Sequence, residues 1–283
     1  MRALAEFIMR GRVQASLIAL LASGLPLISP AAVALVTLRR GAFDGMLVMS
    51  WACMPMLLLV AFTDMEPVFF LLGLASLIGY VVVVAVATLL RATLSWPVTL
   101  MAMVILSTLS AFIFLLLAPE VMLNVVKAIN EAVAQTKADM PQHEFNQVLV
   151  MGLVAYAVSA NTFFGLIMGR WWQALLYNPG GFQTEFHQLR LKSIPALMCL
   201  LATWYCLQDV DYRAWVNVFA LPLLAAGAAL IHYVVKARQL GRHWLVMFYL
   251  AVMVFSPLLV PMLTVVVFLD TWLDFRSRLT TKS

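Results

Sequence analysis

Residues 148–191 read VLVMGLVAYAVSANTFFGLIMGRWWQALLYNPGGFQTEFHQLRL, and two kinds of chain meet inside that string. From Val148 to Gly169 the residues are apolar over a length that crosses bilayer hydrocarbon as a helix. Arg170 then interrupts the run, with Trp171 and Trp172 directly behind it. An indole has an apolar body and one N–H to hydrate, so it favours the boundary between lipid and water. Asn178-Pro179-Gly180-Gly181 forces a turn, because proline fixes φ and glycine accepts backbone angles that other residues avoid. Beyond it, Phe182, Phe186 and Leu189 share one side of a short helix, with Glu185, His187 and Arg190 elsewhere. Residues 169–191 therefore read as a structured loop on the cytoplasmic membrane face. It serves either as an aromatic-anchored connection between helices or as a docking or gating surface.

The rest of the chain has the character of the first half of that string. Hydrophobic residues make up 64%, charged residues 11%, and mean hydropathy is +0.98, which excludes an ordinary soluble globule. Repeated apolar runs predict an all-α polytopic transmembrane helical bundle of about eight segments, a single integral membrane domain over 1–283. The segments are Val13–Leu38, Gly45–Phe62, Pro67–Leu90, Trp96–Ala118, Val148–Gly169, Leu191–Leu207, Ala214–Val235 and Trp244–Leu269. Cys53, Cys199 and Cys206 lie in apolar stretches without pairing or metal-ligand spacing, and read as reduced, buried small residues. Arg2, Arg10 and Arg12 before an apolar run could mark a secretory signal. Apolar character resumes after Pro30, so an uncleaved first membrane segment is the preferred reading.

Charge sets the orientation. With the amino terminus cytoplasmic, one face receives Arg2, Arg10, Arg12, Arg39, Arg40, Arg91, Arg170, Arg190, Lys192, Lys236, Arg238 and Arg242. The other receives Lys127, Lys137 and Arg213 with Asp64, Glu66, Glu120, Glu131, Asp139, Glu144, Asp209 and Asp211. That asymmetry is the positive-inside pattern, so the excess of basic residues implies no nucleic acid and a lipid bilayer as partner. Two places strain it. Arg39-Arg40 and the tail residues Arg276, Arg278 and Lys282 fall on the wrong side if the first and last segments are single spans. Each of these segments carries a Pro-x-x-x-Pro, Pro26 to Pro30 and Pro257 to Pro261. Broken there, both would turn back and restore the rule. Paired interrupted segments also line midplane sites in transporters, although prolines are common in membrane helices anyway.

Residues 119–147, between Pro119 and the next span, form an outer amphipathic segment. Val121, Val125, Ile129 and Val133 recur every four residues, with Asn124, Lys127, Asn130 and Glu131 off that stripe. A helix lying on the outer interface and a partner-binding helix both fit.

The chain has no Gly-x-x-x-x-Gly-Lys-Ser/Thr phosphate loop, no His-Glu-x-x-His and no Cys-x-x-Cys, so neither ATP hydrolysis by that route nor a metal or other cofactor is expected. His143, His187, His232 and His243 read as interfacial. Asp270 and Asp274 stand one turn apart beside Arg276 and Arg278, and Asp274 with Arg278 reads as an i, i+4 ion pair on a surface helix rather than a catalytic dyad. Without a nucleophile or metal set, an enzyme is not the expectation.

Polar residues inside spans are few, and each needs a partner. Ser159, Asn161 and Thr162 lie mid-span just ahead of the Arg170 stretch, Ser107, Thr108 and Ser110 lie in the preceding span, and Asn217 lies near the outer end of another. They can join helices or contact a solute, and Ser159, Asn161 and Asn217 are the candidate substrate-binding residues. Gly165-x-x-x-Gly169 and Ala15-x-x-x-Ala19 are small-residue pairs that let backbones approach.

Three stretches together resemble the YybS-like family of bacterial inner-membrane proteins. They are the proline-rich start ending in Leu38-Arg39-Arg40-Gly41, the Gly169–Phe186 stretch, and the closing Leu269–Arg276. The resemblance covers nearly the whole chain, is most specific in the middle stretch, and carries no established activity. More distantly, such proteins are similar to the substrate-binding S components of energy-coupling-factor transporters. That likeness implies a small-solute-binding component energised by a coupling membrane subunit and ATPases, docked through Ala15 and Ala19. At 283 residues the chain is longer than a six-helix S component and lacks an aromatic vitamin-binding constellation. The alternative is a non-transporting scaffold or assembly factor for an envelope complex. It would dock partners through Arg170, Trp171, Trp172, Asn178, Pro179, Gly180, Gly181 and Glu185. Either way the resemblance implies a multi-pass protein of the bacterial cytoplasmic membrane.

Overall fold

A computed structural model of the chain describes residues 1–25, 27–136 and 144–280. Pro26, Lys137, Asp139, His143 and Lys282, used above, lie outside those residues. The described residues form fourteen α-helices, short turns and one 3₁₀ turn, with no strand among them. In chain order the helices are α1 (Arg2–Arg10), α2 (Arg12–Leu21), α3 (Ile28–Arg40), α4 (Ala42–Phe62), α5 (Pro67–Thr93), α6 (Trp96–Leu117) and α7 (Pro119–Thr136). There follow α8 (Gln147–Tyr177), α9 (Gly181–Gln188), α10 (Ser193–Cys206), α11 (Arg213–Ala237), α12 (His243–Val254), α13 (Ser256–Leu273) and α14 (Phe275–Thr280), with the 3₁₀ turn Val210–Tyr212 ahead of α11.

Five helices are long and apolar enough to cross a membrane: α4, α5, α6, α8, and α11 with its 3₁₀ turn. This marks the chain as a membrane protein. The other three of the eight expected segments differ. Residues 191–207 give only the 14-residue α10, about 21 Å long at 1.5 Å per residue, and the first and last segments are each two helices.

In the first segment, α2 and α3 have 10 and 13 residues, about 15 and 20 Å, too short to cross hydrocarbon about 30 Å thick. They form a hairpin. The Ser29 hydroxyl donates to the Ala19 carbonyl at 2.9 Å near its tip. At its open end Arg12 Nη2 reaches Asp44 Oδ1 at 2.7 Å, and Arg40 Nη2 donates to the Met9 carbonyl at 2.8 Å. Arg40 thus returns to the end where Arg10 and Arg12 sit. Gly41, at φ +109°, turns the chain directly from α3 into α4, a left-handed angle that suits glycine.

The last segment repeats the device. The helix breaks at Phe255, ahead of Pro257, while Pro261 stays inside α13. The early part of α12 runs back along α11, with His232 Nε2 and Tyr249 Oη 2.8 Å apart. The return arm α13 runs alongside α11 in the same direction. Gly227 lies against Leu263, and the Tyr233 hydroxyl donates to the Arg276 carbonyl at 3.3 Å. Arg276 therefore ends beside Arg190 and Lys236, at what we call the basic end of the bundle.

The centre is α3, with every residue from Ser29 to Leu38 buried. It runs parallel to α8, and the approach is close because α8 offers glycine there. A Cβ placed on Gly165 would stand 2.6 Å from Pro30 Cβ, and one on Gly169 would stand 2.8 Å from Ala34 Cβ. Gly165-x-x-x-Gly169 is thus a packing seam within the chain. Ala15 and Ala19, at 1% and 0% exposure, are likewise covered by the chain itself, where α2 packs on α4.

The amphipathic helix α7 turns its apolar stripe to the bundle and leaves Asn124, Lys127 and Glu131 exposed. It packs on α5, α6 and α8, burying Met122 and Val125 completely or nearly so, with Val121 and Ile129 against the core. The apolar stripe is covered by the bundle, and Asn130 fastens the following strand of chain by exchanging two hydrogen bonds with the Phe145 backbone, at 3.0 and 2.9 Å.

Candidate functional site

Where the first hairpin turns, backbone groups leave their helical partners in the middle of the bundle, and polar side chains collect there. Tyr80 on α5 donates its hydroxyl to Ser29 Oγ at 2.9 Å, and the Ser29 hydroxyl donates in turn to the Ala19 carbonyl. Both side chains are buried and both are satisfied. Asn161 lies one turn above the Gly165 contact with Pro30, facing α5 at Gly79. A Cβ on Gly79 would be 3.4 Å from its Nδ2. Glycine at position 79 makes the room that the amide occupies.

Asn161 stands apart from its neighbours. It is half-buried, and no hydrogen bond to its side chain is found among the described residues. Unlike the buried hydroxyls near it, its amide is not fully enclosed by the chain. Ser159, by contrast, is fully buried and its hydroxyl donates to the Tyr156 carbonyl at 3.0 Å within its own helix. Thr162 Oγ1, with Ser107 Oγ and Thr108 Oγ1 on neighbouring α6, is buried and unpartnered. Asn217 is exposed, at the start of α11 where Trp215 bonds the Val148 carbonyl. Val148 is thirteen residues before Asn161, about 20 Å along α8, so Asn217 does not join the others.

The stretch from 169 to 191 is not one loop. The helix α8 continues through Gly169 to Tyr177, so Arg170, Trp171 and Trp172 belong to its last turns. Trp172 is completely buried while Trp171 remains 39% exposed, so the pair is not a simple interfacial anchor. The turn Asn178-Pro179-Gly180 is exposed, with Gly180 at φ +84°, and Gly181 opens α9. The short helix is clamped from below by rings: Trp96 meets Phe182, Phe182 stacks on Phe186, and Phe186 meets His232 edge-on. It is locked at its flank by Arg170, which grips Glu185 with two nitrogens and also bonds Gln173. Gln173 and Arg91 reach the carbonyls of Leu38 and Thr37, placing donors at the C-terminus of α3, where its dipole is negative.

A second ionic knot ties the returning tail. Asp270, with a side chain 4% exposed, accepts from Arg276 Nη1 at 3.0 Å and from the Phe275 backbone N–H at 2.9 Å. Arg190 donates to the Asp270 carbonyl at 2.6 Å and pairs with Asp274 at 3.2 Å. The expected Asp274–Arg278 pair on a surface helix is corrected: Asp274 is left-handed, at φ +44°, which ends α13 and removes the i, i+4 spacing. No sequence signal singled out Arg190, which comes from a segment eighty residues away.

Among the described residues no three His, Cys, Asp or Glu side chains gather as metal ligands. No protein-family model matches this chain, and no curated protein or solved structure matches it either.

Proposed function

We propose that the protein is a solute-binding membrane component of a transport system, with its site where the first hairpin turns. The observation that carries this is Asn161, a half-exposed amide without a partner, facing Gly79 at the level of the Ser29–Tyr80 bond. Two proline-bearing broken segments of this kind line midplane sites in secondary transporters, and unpaired polar groups there mark solute paths. The reading places the basic end in the cytoplasm of a bacterium, with the chain as one integral membrane domain. It keeps the likeness to the YybS-like family and, more distantly, to S components. Energy would come from a coupling subunit and ATPases, since the sequence carries no phosphate loop.

The test is a thermal-shift screen of small solutes on purified protein, repeated with Asn161→Ala. A solute that raises the melting temperature of the wild type and not of the variant supports the proposal. If every solute that binds the wild type stabilises the variant equally, the site is not at Asn161. The scaffold reading rests on a different feature, the exposed Trp171 and Asn178–Gly180 turn held rigid by Arg170 and Glu185. It predicts that Arg170→Ala disrupts a complex while solute binding stays intact.

A further inference from the structure

The basic end holds a second site, separate from the hairpin tip. Between α9, the end of α11 and the start of α14 opens a cleft of about 470 Å³. Thr184, His187 and Gln188 line one wall, and Tyr233, Lys236 and Arg276 line the other. The charges that face it are of one sign. Asp270, the carboxylate paired with Arg276, is turned into Arg276 Nη1 and the Phe275 N–H, and Glu185 is held by Arg170, so Lys236 is left without a paired carboxylate among the described residues.

His187 shows what is missing. The residue is 8% exposed, lies edge-on to the Tyr233 ring, and makes no hydrogen bond among the described residues, although it lines the cleft. Its ring nitrogens are not enclosed by the chain and are open to the cleft. Burial first, and then the positive charges of Lys236, His232 and Arg276, keep it below the usual histidine range. Facing it are His232, Tyr233 and Lys236 from α11 and Arg276 from α14, with no free carboxylate among them. Arg276 Nε is also buried and unpartnered. Arg276 spends Nη1 on Asp270 and Nη2 on the Leu189 carbonyl, so the excess positive charge at the cleft is that of Lys236, and with the Arg276 Nε and the His187 ring it matches an anion with several oxygens, as a phosphate has. Lys236, exposed near the end of a spanning helix, stands at the height where lipid headgroups lie.

We propose that this cleft binds the phosphate group of an anionic ligand, through His187, Lys236 and Arg276. The same chemistry is available from the headgroup of an anionic phospholipid and from phosphate in solution. Native mass spectrometry of the full-length protein, delipidated in mild detergent, distinguishes them. Phosphatidylglycerol, diacylglycerol and inorganic phosphate are titrated separately against wild type, Lys236→Gln and His187→Gln.

Phosphatidylglycerol is expected to bind at least about tenfold more tightly than diacylglycerol, and Lys236→Gln to weaken it about fivefold, the effect of one basic residue near a membrane surface. The wild type should bind phosphatidylglycerol more tightly as pH falls from about 8 to about 5.5, since a protonated His187 adds charge while the phosphodiester does not titrate. His187→Gln should flatten that dependence. Inorganic phosphate binding with the same losses supports the site and assigns it to a solution ligand. Binding of neither probe, or binding unchanged in both variants, overturns the proposal. Both variants are checked for wild-type melting, and Lys236 is exposed, so its replacement leaves the fold intact.

Discussion

Replacing Gly169 by alanine tests the packing seam at the centre of the bundle. The new Cβ would lie 2.8 Å from Ala34 Cβ and 3.0 Å from both the Ala31 carbonyl oxygen and the Leu35 backbone nitrogen. Carbon atoms rest about 3.5–4.0 Å apart, so α3 would have to retreat by about 0.7 Å. Two of the three obstructing atoms are backbone, and α3 is held at both ends, by Ser29 to Ala19 and by Arg40 to Met9. Side-chain rotation therefore offers little relief. Overpacking of this kind costs about 1–3 kcal/mol, against up to about 1 kcal/mol gained from alanine in a helix. Because two of the obstructing atoms are backbone, the cost falls in the upper half of that range, and we expect Gly169→Ala to be destabilised by about 1–2 kcal/mol net. Ala34→Gly in the same background should restore part of the loss, because it removes one obstruction and leaves the two backbone ones. Unfolding in mixed micelles, followed by far-ultraviolet circular dichroism, measures both steps as a double-mutant cycle. Gly24→Ala, where nothing lies within 4 Å, is the control and should be neutral. A Gly169→Ala variant as stable as the wild type, or no recovery with Ala34→Gly, would refute the close parallel pairing of α3 with α8.

Other parts of the structure make their own predictions. Asp270→Asn leaves Arg276 buried without its counter-charge and should cost about 3–5 kcal/mol, whereas Asp274→Asn, with a side chain 44% exposed, should cost less than about 1 kcal/mol; thermal melts that rank the two equally would contradict the assignment. His187 binds its proton less tightly when folded than unfolded, so the unfolded chain takes up a proton first as pH falls through about 6.5. Stability should drop as pH falls through that window towards the lower folded value, and His187→Gln should remove this component from a melting curve taken against pH. In a cysteine-free background, Arg242→Cys and Arg278→Cys should react with an impermeant maleimide from the same side of the membrane. Labelling from opposite sides would mean that the last segment crosses.

The sequence made the long spans legible because hydropathy over about twenty residues is a local property, as in α5 and α6. The two returns were legible through charge: Arg39-Arg40 and Arg276 had to face the basic side, and Pro26 and Pro257 offered places to turn. What local pattern could not supply was the identity of neighbours. The four-residue spacing of Ala15 and Ala19, of Gly165 and Gly169, and of the α7 stripe said that something packs there, and in each case other helices of this chain do. The Arg190 contacts with Asp270 and Asp274 join segments eighty residues apart, and the left-handed angle at Asp274 undid the pairing with Arg278 that regular helix spacing implied. Of the candidate solute residues, Asn161 was marked by its depth alone, whereas Ser159 proved satisfied by Tyr156 and Asn217 lies apart from both.

The position of α3 also bears on how the protein is made. Its principal neighbour, α8, is encoded more than a hundred residues later, and the contact from Gln173 to Leu38 spans 135 positions. During synthesis the first hairpin therefore leaves the ribosome with its central helix uncovered on the α8 side, and stays so until residues near 177 have emerged. An insertion factor, or a lipid environment that tolerates a bare half-depth hairpin, must hold it through that interval. Chains truncated before α8 should be substrates for membrane proteolysis, and chains ending just after it should be the first to escape.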